Sequence, residues 1–132
     1  MIAKTLFKIP FNSLKIFIVA VFFFIYACGS RSPHQGGYRT TTVSFYANKF
    51  NGKRTASGEI FSNSKLTGAH RSLPFGSKVE MINTANEKSV IVEINDRGAL
   101  KGSREFDISQ KAFKKIANLE DGVVKIKYRL LN

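Results

Sequence analysis

A small, mainly β protein, closed into a barrel and carrying one short helix, is the fold that the sequence predicts for residues 43–132. Three observations carry this expectation. Short runs of apolar–polar alternation recur from Val43 to Leu130, the pattern of strands with one face on a core and one in water. One stretch, after Ser109, changes to helical spacing. Many short strands and loops also leave exposed edges, and closure into a barrel removes them.

In chain order, residues 1–27 read as a leader. Its only charges are Lys4, Lys8 and Lys15, followed by a wholly apolar run from Ile16 to Ala27. Those twelve residues would make a helix of about 18 Å, short of the roughly 30 Å hydrocarbon core of a bilayer. A basic start and a short apolar run form the pattern of a secretory signal. An uncleaved anchor is the alternative, and Ser13 and Lys15 argue against it by interrupting the longer apolar stretch from Phe11.

Cys28, the only cysteine, ends the run and has no partner for an internal disulfide. The segment Ile25-Tyr26-Ala27-Cys28 resembles a bacterial lipoprotein signal. That resemblance implies a diacylglyceryl group on the thiol, cleavage before it, and a membrane partner reached through the lipid. The alternative is a buried thiol at a helix end. Gly29 follows, with no aspartate to signal inner-membrane retention, so the periplasmic face of the outer membrane is the expected location.

Losing the three leader lysines leaves 18 of the 21 basic residues against 9 acidic ones, a net charge of +9. In the cytosol such a surface would suggest nucleic acid. Export replaces that expectation with anionic head groups and wall carboxylates, so no nucleic-acid partner is expected. Residues 28–42, rich in Ser, Gly, Arg and Thr without apolar periodicity, read as a tether.

The strands follow. Val43 and Phe45 alternate with Ser44 and Tyr46. Lys78 to Ile82 alternates, Asn83 to Glu87 makes a polar turn, and Val90, Val92 and Ile94 alternate with Ser89, Ile91 and Glu93, which together predict a hairpin. Ser109 is a good N-cap for a helix whose apolar face is Ala112, Phe113, Ile116 and Ala117, with Asn118 as its stop. Ile108 and Phe113 have the spacing of a hydrophobic staple. In the last strand Val124, Ile126, Tyr128 and Leu130 face one way, and Lys125, Lys127 and Arg129 the other.

Asp96 is the most informative polar residue. It continues the series Val90, Val92, Ile94, which predicts an inward carboxylate at the barrel mouth. Desolvation there would suit a general acid. The competing reading is a tight turn, Asn95 to Gly98, with Asp96 paired to Arg97 or to backbone amides. Glu59, His70 and Asp107 are further candidates, each beside a loop. Asp107 also precedes the helix cap by two residues, where the helix dipole favours an acid. One structured histidine and no available cysteine cannot form a typical zinc shell, so no metal is expected. Nor is a cofactor, since no phosphate-binding glycine loop is present.

A set of blocks then resembles the rare lipoprotein A family: Ser44-Phe45-Tyr46, Phe50-Asn51-Gly52, Thr55 to Glu59, Leu66 to His70, Leu73 to Gly76, Asn95 to Gly98, and Phe106 to Ser109. They stand in the family's order and spacing across nearly all of residues 43–131. The resemblance implies a six-stranded double-psi β-barrel with one or two short helices, similar to expansins, barwin-like proteins and some cellulases. It implies a role at the cell envelope and, in some members, lytic transglycosylase activity on glycan strands lacking stem peptides. Glu59, His70 and Asp96 match polar groups of the family's active groove. Asp107 matches an acid that is catalytic in distantly related barrel enzymes. Two departures stand out. Ala47 replaces the usual glycine after Tyr46, and no C-terminal glycan-binding domain follows the last strand, which leaves septal targeting open.

The leading expectation is therefore cleavage between N-acetylmuramic acid and N-acetylglucosamine in peptidoglycan. Asp96 would act as acid and then base, with Asp107 its rival. Glu59 and His70 would tune the acid or hold the sugar; Tyr46, Phe50 and Phe75 would offer flat faces to sugar rings, with ordinary core aromatics as the alternative reading of each, and Arg97 would bind substrate beside them. The alternatives are an expansin-like binder without turnover, and a lipid-anchored adaptor for an envelope or division protein.

Overall fold

The computed structural model describes residues 36–98 and 101–131. The leader, Cys28 and the tether up to Gln35 lie outside the described residues. Six strands, β1 (Arg39–Phe45), β2 (Thr67–His70), β3 (Lys78–Asn83), β4 (Ser89–Asp96), β5 (Arg104–Ile108) and β6 (Val124–Leu130), close into a barrel in the order β1-β5-β2-β4-β3-β6. The pairs β1–β5 and β2–β4 are parallel, and the other four are antiparallel. Parallel neighbours cannot be joined by tight hairpins, so long connections must cross the barrel. Those connections build the functional surface.

Alternation fills the interior as the sequence predicts. Val79, Met81, Val90, Val92, Ile94, Phe106, Ile108, Ile126 and Tyr128 form the core with Val43. Each fully buried large side chain of this kind contributes about 1.5–3 kcal/mol. The hairpin is β3–β4, and its turn sits one residue later than predicted, because Asn83 belongs to β3 and is buried. Its amide Nδ2 donates to Ile116 O at 2.8 Å, which satisfies a polar group inside the barrel. In β6, Ile126 and Tyr128 are buried while Leu130, at the barrel's end, is exposed.

The helix α1 (Gln110–Lys114) starts where predicted. Ser109 Oγ accepts from Ala112 N–H at 3.2 Å, and Ala112, Phe113 and Ile116 are fully buried. The helix is shorter than the apolar face suggested. Asn118 does not stop it but opens a separate 3-10 turn, Leu119–Asp121, through a capping box with Asp121.

Three strand boundaries differ from the sequence reading. β1 begins at Arg39, inside the segment read as tether, and pairs with β6 from Arg39↔Tyr128 to Val43↔Val124. The β-branched run Thr40 to Thr42 favours extension, and Thr41 is buried with its hydroxyl donating to Ser103 O at 2.7 Å. Alternation predicts neither β2 nor β5, and His70 and Asp107, expected beside loops, lie within them. β2 is only four residues with a central glycine, and a Cβ at Gly68 would meet Asp107 O and Ile108 Cγ2 at 3.1 Å. β5 carries Arg104, Glu105 and Asp107, which disguise the inward pair Phe106 and Ile108.

The most consequential difference lies in β4. Strict alternation would turn Asp96 inward. Instead the pairing with β2 shifts by one residue, from Gly68↔Ile94 to Ala69↔Asp96. Ile94 and Asn95 are both buried as a result, and Asp96 emerges on the face turned away from the core. A bulge of this kind re-aims the side chains that follow it.

A candidate active groove with two carboxylates in one row

On the outward face of the barrel, four adjacent strands contribute one residue each to a single row. Ser44 on β1 pairs with Asp107 on β5, Asp107 with Ala69 on β2, and Ala69 with Asp96 on β4. Strands lie about 4.8 Å apart, so the backbones of Asp96 and Asp107 are separated by roughly 10 Å. Ala69, buried, lies between them in the row. Neither acid is on a mobile tip; the sheet itself sets their spacing.

Each acid is held by specific donors. Asp96 Oδ1 accepts the backbone N–H of Ala56 at 2.9 Å and of Arg97 at 2.8 Å. Asp96 Oδ2 accepts the Tyr46 hydroxyl at 2.8 Å. A carboxylate offers about four acceptor positions, so Oδ1 is fully used and Oδ2 keeps one position for a further partner. Asp107 Oδ1 accepts the Ser44 hydroxyl, and Arg104 Nε lies 4.0 Å from the same oxygen.

Tyr46 is fixed by packing against Phe61 at 4.3 Å and, edge-on, against Phe50 at 5.9 Å between ring centroids. Burial, together with the bond to Asp96, pushes its phenol well above its ordinary range, so it acts as a permanent donor.

A groove of about 680 Å³ opens over this row, lined by Tyr46, Phe50, Lys53, Arg54, Asp96, Arg97 and Asp107 among others. Its rim is aromatic and basic. Phe50 is 37% exposed, with the Lys49 and Lys53 ammonium groups 5.3 and 5.5 Å from its ring centre. Phe75, 43% exposed, stacks under the Arg97 guanidinium at 4.0 Å. Both rings are thus surface platforms, not core aromatics. The groove therefore offers two acids, flat apolar faces and cations, a combination suited to an anionic polymer of rings.

The sequence candidates divide. Tyr46, Phe50, Asp96, Arg97 and Asp107 line this groove, and Phe75 adjoins it through Arg97. Glu59 and His70 do not line it. Glu59 Oε2 accepts from Asn95 Nδ2 at 3.0 Å, so it braces the residue before Asp96. His70 lines a different groove, its Nδ1 accepting the backbone N–H groups of Ser72 and Leu73 at 3.1 and 3.0 Å. Asp107 was also read as a helix-dipole partner, but its carboxylate is turned across the sheet to Ser44. Ser44, Lys49, Lys53 and Arg54 went unremarked as site residues. Ser44 belongs to the Ser44-Phe45-Tyr46 block, and the three cations are visible in the sequence as a cluster around Phe50.

The model of the family described as "Lytic transglycolase" matches residues 39–128. The "Probable endolytic peptidoglycan transglycosylase RlpA" of Treponema pallidum (strain Nichols) is 51% identical over 84 residues, covering 64% of this chain and 26% of that protein. The "Endolytic peptidoglycan transglycosylase RlpA" of Pasteurella multocida (strain Pm70) is 41% identical over 101 residues, covering 76% of this chain and 34% of that protein. The chain thus spans about a quarter to a third of the length of these relatives. Among solved structures, the Streptomyces papain inhibitor aligns with a TM-score of 0.59 at 23% identity, over 76% of this chain and all of that one. A Clavibacter michiganensis expansin mutant, solved in complex with cellohexaose, aligns with a TM-score of 0.57 at 14% identity, over 71% of this chain and 51% of that one. These two show the fold, a double-psi β-barrel. With the family model reaching from the first strand into the sixth and the relatives matching in sequence, the chain belongs to the lytic transglycolase family.

Proposed function

We propose that this chain is an endolytic peptidoglycan lytic transglycosylase, cleaving between N-acetylmuramic acid and N-acetylglucosamine, preferentially in strands lacking stem peptides. The observation that carries the reading is the row of two carboxylates on the floor of an open, aromatic and basic groove. The names of the relatives support the same chemistry.

Asp96 serves as acid and then base. It gives a proton to the glycosidic oxygen as the bond from muramic acid C1 breaks, freeing the 4-hydroxyl of N-acetylglucosamine. It then takes the proton of the muramic acid C6 hydroxyl as that oxygen closes on C1. No water is consumed, so no second carboxylate has to hold one, unlike in most glycoside hydrolases. Oδ2 is the oxygen that exchanges the proton, because Oδ1 is occupied by two backbone amides. Asp107, two strands away, faces the positive charge that develops at C1. Tyr46 keeps Asp96 in one rotamer, and Glu59 does so indirectly through Asn95. Phe50 and Phe75 stack against sugar rings, with Arg97 beside them.

The test is incubation of the full chain with peptide-free glycan strands and mass analysis of the products. Anhydro ends, lighter by one water than hydrolysis products, are expected. Saturable binding without any product would replace the enzyme by an expansin-like binder.

The same reading anchors the domain to the periplasmic face of the outer membrane through a lipid on Cys28. The leader sequence and Gly29 support it. Wild-type protein should incorporate labelled palmitate in its host, and Cys28→Ser should stay unprocessed and unlabelled. Retention of residues 1–27 by the mature wild-type protein would refute the anchor.

A further inference from the structure

A second groove, of about 330 Å³, shares no lining residue with the first. Arg39, His70, Arg71, Arg104, Glu105 and Tyr128 line it. The groove thus holds three guanidinium groups and one carboxylate, Glu105, whose Oε2 accepts the Tyr128 hydroxyl at 2.7 Å; Arg104 Nε also lies 4.0 Å from Asp107 Oδ1. His70 adds a further donor. Its Nδ1 is committed to two backbone N–H groups, so Nε2 is the nitrogen that carries the proton. The ring is held by Phe106 at 4.8 Å, and Phe106 in turn by Tyr128 at 4.8 Å. His70, Arg104, Glu105 and Tyr128 are partly or fully buried on β2, β5 and β6, while Arg39 at the start of β1 and Arg71 just after β2 are exposed at the rim.

The chemistry is polarised. Planar guanidinium forks match a carboxylate in two-point geometry. Glu105 offers the reverse, an acceptor for an ammonium or amide N–H. A bare phosphate would meet the guanidinium groups but be repelled by Glu105. A ligand carrying a carboxylate beside an N–H satisfies both, and the cavity is at the small end of the range for compact ligands, about 300–1,000 Å³. We propose that this groove binds the carboxylate end of a short peptide, with the guanidinium groups on the carboxylate and Glu105 on the adjacent nitrogen. The proposal stands apart from the reading of the first groove, since its test is binding and not turnover.

The experiment is an NMR titration of the ¹⁵N-labelled full chain in non-ionic detergent, following the backbone amides of Gly102 and Ser103 beside the groove. The probes are the dipeptide alanyl-alanine, its C-terminal amide, and inorganic phosphate. The dipeptide should give saturable shifts at these amides. The C-terminal amide should bind at least about tenfold more weakly, as should the dipeptide to Arg39→Lys, which keeps the charge but loses the fork. Should Arg39→Lys fail to fold, Glu105→Gln takes its place, and it should bring dipeptide and phosphate to similar affinities. Phosphate binding to the wild type as tightly as the dipeptide would reduce the groove to a simple anion site and overturn the assignment. Shifts confined to the groove of Asp96, or none at Gly102 and Ser103, would overturn it as well.

Discussion

Asp96 and Asp107 are held so differently that their amide variants separate two roles. In Asp96→Asn the remaining oxygen can still accept from Ala56 and Arg97, so folding survives while the exchangeable proton is gone. General acid–base catalysis contributes about a hundredfold to ten-thousandfold, and anhydro product should fall by at least the lower figure. Asp107→Asn keeps an acceptor for Ser44 and weakens a long, partly exposed ion pair with Arg104, worth about 0–1 kcal/mol. Its thermal stability should therefore barely change, and the helix start should be untouched. Complete loss of turnover in Asp107→Asn, with turnover retained in Asp96→Asn, would move the acid to Asp107. A second residue-scale prediction concerns pH. Burial, above all, lowers the affinity of His70 for its proton below the ordinary value of 6.5. A depressed value means that the unfolded state binds the proton more readily, so this contribution to stability is present above about pH 6.5 and fades as pH falls. Thermal melts of the wild type and His70→Gln should converge on acidification; a gap that widens towards low pH would contradict the assignment.

At the scale of the element, local chemistry was legible and long-range pairing was not. Ser109, Ala112, Phe113 and Ile116 announce the helix start because cap and periodicity are properties of neighbouring residues. The β3–β4 hairpin and β6 are legible for the same reason. β2 escaped because four residues around a glycine show no period, and the bulge before Asp96 escaped because it exists only relative to β2. Asp96 was thus singled out from an inward series that it does not join. Gly68 tests how tightly these elements fit. An added methyl group would press on the Asp107 carbonyl and on Ile108. Gly68→Ala should cost about 1–3 kcal/mol in denaturant unfolding, the range for overpacking. Because Asp107 must shift to make room, turnover per folded molecule should also fall. Unchanged stability would mean that β2 and β5 can separate at no cost.

At the scale of the whole molecule, the excess of basic residues predicts how binding to an anionic polymer depends on salt. The chain carries a formal net charge of +12, and four cations, Lys49, Lys53, Arg54 and Arg97, border the groove. Exposed charges are screened beyond about 8 Å at physiological ionic strength. Sedimentation of the protein with isolated sacculi should decline as salt is raised from low values; binding indifferent to salt would assign the affinity to stacking on Phe50 and Phe75 instead. The closed ring of strands has one more consequence. It turns the gap between the two acids into a gauge: with no free edge, no strand can slip, and the interval from Asp96 to Asp107 is fixed by two strand widths. The connections between strands carry no share of that tolerance. They can be lengthened, recharged or exchanged while the gauge keeps its setting. Engineering new polymer preferences into this barrel should therefore start with Lys49 to Arg54 and leave Ala69, the spacer at its centre, alone.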